Sequence, residues 1–192
     1  LMQALTAGPA AAPRRQIIVG TTLGVVAMVM MVGGMLAVWS EQRTNFVERD
    51  GNWLPSGVVI PEVAANVALI AFIAICTFAQ WAVWAAKRND RGHGVFALAT
   101  TALVALMVIN AQAFIYSEMG IGIGDGAYAT MFYALTGLFV ALMIIGVIFS
   151  VVAAFRFSGG RSDNEVLAAH AIYWYAMSVI YTAIWFVVYV TK

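Results

Sequence analysis

Long apolar runs alternate with short polar clusters along this chain. Five runs are long enough to cross a bilayer, whose hydrocarbon core of about 30 Å takes roughly 20 residues of helix. They predict helices over about 17–39, 60–86, 95–116, 127–157 and 165–190. Lipid offers the backbone no hydrogen-bond partners, so runs of this length read as helices that satisfy themselves. The fold class is therefore all-α, a polytopic transmembrane bundle of five spans, with the fourth span long enough to tilt or protrude. The breaks fall at 41–57, 87–94, 117–126 and 157–164, each rich in charge or in Gly, Asn and Asp. Pro61 suits the first turn of the second helix. Asp163 or Asn164 is a candidate cap for the last, with Glu165 favourable at its positive end.

Composition supports the membrane reading and removes others. The chain is 63% hydrophobic and 10% charged, with mean hydropathy +0.90, whereas soluble domains carry about 25% charged residues. A net charge of +1 without a basic stripe gives no nucleic-acid signal. Residues 1–15 are rich in Ala and Pro and read as an irregular cytoplasmic segment, leaving 16–192 as one five-helix domain. The apolar run after Arg15 is too long for a signal peptide and is expected to be a retained first span. Arg14, Arg15, Lys87, Arg88, Arg91, Arg156 and Arg161 gather on one side, against Arg43, Arg49 and Lys192 on the other. The positive-inside rule then puts the N-terminus in the cytoplasm and the C-terminus outside.

No Asp, Glu, Lys or Arg falls in mid-membrane, which argues against a proton-coupled transporter. Asn66, Gln80, Asn110, Gln112 and Thr136 are the mid-span polar residues, expected to hydrogen-bond between helices. Cys76 is the only cysteine, so a disulfide or Cys-based metal pair within the chain is excluded, and it reads as a small apolar filler. His93 sits in a polar stretch between spans two and three, and His170 about one turn into span five. A haem shared between them would need both on facing helices near one plane, which this placement makes a poor fit. No nucleophilic triad can be placed. Gly120, Gly122 and Gly124 lack the strand and βαβ context of a nucleotide fingerprint. Gly20, Gly24, Gly33 and Gly34 offer a close-packing surface on span one.

Several motifs, in order, resemble subunit III of the haem-copper (cytochrome c) oxidases, in its shorter five-helix bacterial form. Trp53-Leu54-Pro55 stands where that family has a Trp-Pro-Pro-like motif, and Gln80-Trp81-Ala82 matches a Gln-Trp-Ala near the end of the next helix. Gln112 and Tyr116 correspond to a Gln and aromatic closing the third. The run Tyr128, Phe132, Thr136, Gly137 follows, with Gly146 beyond it, and Glu165 with Tyr173-Trp174 opens the last helix. The polar signature departs from the family. Met28 replaces a mid-membrane Glu, and Phe139 and Leu142 replace two histidines. Trp174-Tyr175 with Ser178 replaces a Trp-His with a nearby Asp, and Ile115 an acidic residue.

The resemblance implies a non-catalytic subunit packed on subunit I of an aerobic terminal oxidase in the bacterial plasma membrane. It implies haem and copper in partner subunits, none bound by this chain, and support for oxygen reduction coupled to proton pumping. It also implies two helices splayed from three around a cleft holding phospholipid. Trp53, Trp81, Tyr128 and Trp174 are the candidates to line that cleft; interface anchoring is the alternative role for each. Other readings are a relative serving a nitric oxide reductase or another respiratory assembly, and an independent transporter or structural membrane protein.

Overall fold

The computed structural model describes residues 15–160 and 164–191. Segment 1–14 and the proposed cap Asp163 lie outside that range, and Asn164 is already the first helical residue of the last helix. All five expected spans are helices: α1 (Gln16–Asp50), α2 (Glu62–Lys87), α3 (Arg91–Met119), α4 (Ala127–Ser158) and α5 (Asn164–Ile184). Each is long and apolar enough to cross a membrane, and no strand occurs among the described residues. The last helix continues as a π-helical turn, Trp185–Val190, so its helical path runs to the expected end near 190.

Two boundaries differ from expectation. α1 runs eleven residues beyond position 39, through a stretch expected to be part of a loop. That stretch contains no Gly or Pro until Gly51, and its Glu, Gln and Arg residues are good helix formers. At about 1.5 Å per residue it carries the helix out of the hydrocarbon. Gly51 stops it in a left-handed conformation (φ 79°), its N–H bonded to Val47 O at 3.0 Å. α3 likewise starts four residues early, at Arg91, because Asp90 caps it by accepting from the His93 N–H at 3.1 Å. His93 is thus in a first helical turn rather than a polar loop. Only Arg88, Asn89 and Asp90 link α2 to α3, with Asn89 in the left-handed region (φ 54°).

Neighbouring helices pack antiparallel in the pairs α2–α3, α3–α4 and α4–α5, and α5 also lies beside α2 and, in parallel, α1. The two-against-three splay implied by the resemblance is not the division seen. α2 is built into the bundle against α3 and α5, and α1 alone stands at the edge, touching α5 and more slightly α4. α1 buries only Val32 and Trp39, whereas α5 buries twelve side chains. A helix apolar around its circumference but unburied in its own chain faces lipid or another protein.

Candidate functional site

The residues singled out by motif divide between the two ends of the bundle. At the end holding the C-terminus of α1 and the N-terminus of α4, Trp39, Trp53 and Tyr128 form a closed aromatic triangle. Their ring centroids lie 5.3, 5.4 and 5.5 Å apart, edge to face. Phe46, from the extension of α1, packs on Trp53 at 5.2 Å, and Phe132 stacks under Tyr128 at 6.0 Å. Edge-to-face pairs of this kind add about 0.5–1.5 kcal/mol each beyond burial. The Trp39 and Trp53 indole N–H groups and the Tyr128 hydroxyl are buried with no hydrogen-bond acceptor among the described residues. Pro55 turns the loop here, its carbonyl accepting from the Val58 N–H at 3.3 Å.

One turn deeper, the Tyr116 hydroxyl donates to Thr136 Oγ1 at 2.8 Å, and Thr136 donates back to the Phe132 carbonyl at 2.6 Å. Gln112 accepts at Oε1 from the Tyr189 hydroxyl at 3.1 Å. Tyr189 lies on the π-helical turn that ends the chain's last helix, a local widening often found where a side chain must be re-aimed. Asn66 accepts from Trp185 Nε1 at 2.7 Å, and Gln80 from the Tyr175 hydroxyl at 2.7 Å. Four of the five mid-span polar residues therefore bond to another helix, as expected; Asn110 bonds to no described residue.

Deeper in the bundle, Trp174 is fully buried between α4 and α5. Its indole N–H lies 3.0 Å from His170 Nε2 and 3.1 Å from Ser150 Oγ, and Ser150 Oγ is 2.7 Å from His170 Nε2. The indole can only donate, so Nε2 of His170 accepts. Residues 170 and 174 share a helix face by their i, i+4 spacing. Ser150 arrives from α4, and no sequence signal marked it. Room for the indole comes from Gly146, where a Cβ would meet Trp174 and Tyr173 carbons at 2.8 Å. Gly137 has no neighbour within 4 Å of a Cβ position, so its role is not close approach. The Tyr173 hydroxyl donates to the Leu142 carbonyl at 2.6 Å.

Glu165 does more than open α5. Its Oε1 accepts from the backbone N–H groups of Ile17 and Ile18, at 2.7 and 3.2 Å. The carboxylate thus caps the N-terminus of α1 from a neighbouring parallel helix, where the helix dipole favours a negative charge. Trp81 lies on the same end, beside Phe78, Phe96 and His93, each ring about 5.9 Å away.

The four cleft candidates do not line one groove. Trp53 and Tyr128 sit together at one end, Trp174 is enclosed deeper in the bundle beside Gly146 and Cys76, and Trp81 is half-buried on α2. The apolar groove that α1 does form lies between α1 and α4. It has about 360 Å³ of free volume, lined by Met30, Met31, Gly34, Met35 and Trp39 on one side and Met131, Ala134 and Leu135 on the other. The departures from the family pattern are filled by packing. Phe139 lies against Tyr181 at 5.0 Å and Phe72 at 6.2 Å, and Leu142 and Ile115 are buried. Met28 is half-buried against the same core. Cys76 is half-buried, its Sγ 3.9 Å from the Trp174 carbonyl.

The two histidines are apart in role and place. His170 belongs to the buried Ser150–Trp174 group, and His93 Nδ1 meets Asp90 Oδ2 at 2.7 Å on the surface. The His93 backbone N–H and then its ring hydrogen bond hold the Asp90 carboxyl below the usual carboxylate range. Among the described residues no three His, Cys, Asp or Glu side chains group closely enough to hold a metal ion.

Comparison with known proteins gives one consistent result. The sequence model of the family described as cytochrome c oxidase subunit III matches residues 6–192. Cytochrome c oxidase subunit 3 of Pyricularia grisea is 29% identical over 183 residues, covering 88% of this chain and 67% of its own length. The Schizophyllum commune protein of the same name is 25% identical over 182 residues, 90% of this chain and 67% of its own. A probable cytochrome c oxidase subunit 3 of Rickettsia felis is 32% identical over 111 residues, 55% of this chain and 40% of the relative.

Proposed function

The chain belongs to the cytochrome c oxidase subunit III family, and from that premise we propose how it serves as an accessory subunit of the oxidase. It packs on subunit I, holds phospholipid and steadies the oxygen-reducing, proton-pumping partner without carrying electrons. Haem and copper reside in the partner subunits. The complex sits in a bacterial plasma membrane with the N-terminus of this chain in the cytoplasm.

The observation that carries this reading is the family match along nearly the whole chain. Two structural features support its details. Many polar side chains bond across to a neighbouring helix, in pairs such as Tyr116–Thr136 and Tyr189–Gln112, which suits a scaffold rather than a reaction site. α1, with two buried side chains, leaves most of its membrane-length surface for lipid or a partner helix. The methionine-lined groove beside it suits an acyl chain, since unbranched thioether side chains adapt to irregular apolar occupants.

Affinity purification of the tagged chain in mild detergent tests the assignment. The expected preparation contains haem-copper oxidase subunits, an a-type haem difference spectrum and copper. Haem b with non-haem iron would move the chain to a nitric oxide reductase. A folded but colourless chain without partners would overturn the reading.

A further inference from the structure

The short link between α2 and α3 builds a pocket in which Trp81 is the one motif residue. It has about 260 Å³ of free volume and is lined by Trp81, Trp84, Ala85, Arg88, Asp90 and His93. Trp81 and Trp84 are three residues apart, so both project from one face of α2 in its last turns. The left-handed Asn89 then turns the chain back, bringing His93 to within 5.9 Å of the Trp81 ring.

Each wall contributes a distinct chemistry. The Arg88 guanidinium lies 3.7 Å over the Trp84 ring, a stacking that fixes the plane of its donor fork. The Trp81 and Trp84 indole N–H groups bond to no described residue. Asp90 is the one carboxylate, and His93 already engages both of its oxygens, one through the backbone N–H and one through the ring. Lys87, Arg88 and Arg91 flank that single acid in sequence, so this link carries a net positive charge, and Arg88 is the cation that lines the pocket. The pocket therefore offers an oriented cation and free donors at the interface level where indole rings settle. An oxyanion with an apolar tail fits it; a cation does not. The end of the bundle it occupies is the one rich in Lys and Arg, the side that meets anionic headgroups.

We propose that this pocket binds the phosphodiester of an anionic phospholipid, with Arg88 as the principal ligand and Trp84 holding the guanidinium in place. The proposal rests on the reading that this subunit holds lipid, and it names a headgroup site separate from the α1–α4 groove.

The intact complex, purified in mild detergent, carries the test. Bound phospholipids are counted by extraction and mass spectrometry for the wild type, Arg88→Gln, Trp84→Ala and, as an equal charge change outside the pocket, Lys87→Gln. The expected result is loss of one phosphatidylglycerol-class lipid per complex in Arg88→Gln, partial loss in Trp84→Ala and retention in Lys87→Gln. Equal loss in Arg88→Gln and Lys87→Gln would show only a diffuse positive surface and overturn the site. Unchanged counts in all three variants would overturn it too, while leaving general lipid holding intact; a lipid-free wild type would sink both. Inorganic phosphate and phosphatidylglycerol vesicles are then offered to delipidated complex. Recovery of lipid in wild type but not in Arg88→Gln supports the site, whereas displacement of lipid by millimolar phosphate marks a free-anion site instead. If Arg88→Gln fails to assemble, Arg88→Lys keeps the charge and loses the stacked fork, and it is expected to lower lipid retention severalfold.

Discussion

α1 and α5 run parallel through the same membrane and are both apolar enough to cross it, yet they do opposite work. α5 buries twelve side chains, and together with its π-helical turn it hydrogen-bonds to α1, α2, α3 and α4 between Glu165 and Tyr189. α1 buries two and receives its N-terminal cap from α5. Hydropathy alone ranks them together, so it reports only that both cross. What separates them is the side chains available for specific contact. α5 and its π-helical turn carry Tyr173, Trp174, Tyr175, Tyr181, Trp185 and Tyr189, each of which ends in a donor that finds an acceptor on a neighbour or in its own group. The middle of α1 carries Gly, Val, Met and Thr. Within lipid, apolar burial does not distinguish protein from bilayer, so such polar and packing contacts decide which helix is internal.

The comparison breaks most visibly at Trp174. Trp174→Ala is expected to cost about 3–5 kcal/mol, because it removes a fully buried ring together with the indole N–H that bonds Ser150 and His170. Reversible denaturation in mixed micelles reads this, and a loss below about 1 kcal/mol would show that α5 is not the frame. Gly146→Ala comes next, at about 1–3 kcal/mol, since the added methyl meets two rings. Gly34→Ala on α1 is the matching control and is expected within about 0.5 kcal/mol, having open space around it. Equal effects from the two glycines would erase the distinction between the helices.

Glu165→Ala sharpens the dependence of α1 on α5. The expected cost is about 0.5–2 kcal/mol, the range for losing a helix cap, with faster hydrogen exchange confined to the amides of Ile17 and Ile18. Unchanged exchange there would remove the cap from the account. The smallest effect concerns Asp90. Its carboxyl is held below its ordinary value, so its contribution to the α2–α3 link is full above the unfolded pKa, about 3.9. That contribution is lost as pH falls through the depressed folded value. Exchange of the His93 amide should accelerate only in strong acid, relative to an Asp90→Asn variant that shows no such step.

The sequence made the spans legible because lipid imposes one length and one secondary structure on each. It hid the extension of α1, since a bilayer-length criterion stops at Trp39 while the helix-forming residues after it do not. It also hid the partners. Glu165 was visible as an acid at a helix start, but its bond to α1 depends on two distant helices lying parallel. His170 and Trp174 share a face by spacing, but nothing in the chain order announces Ser150. The motif residues follow one another in sequence as if they made one site. In the fold they separate, because successive helices run in opposite directions and send alternate ends to opposite sides of the membrane.

The role we propose for this chain is to brace an oxidase without holding its redox groups. The direct measurement is to strip the subunit from the purified complex with a stronger detergent, separate the fractions and assay haem and copper in each. The account predicts that all haem and copper stay with the remaining subunits, in unchanged ratio to them, while this chain elutes colourless with lipid. Haem or copper leaving with this chain would contradict it.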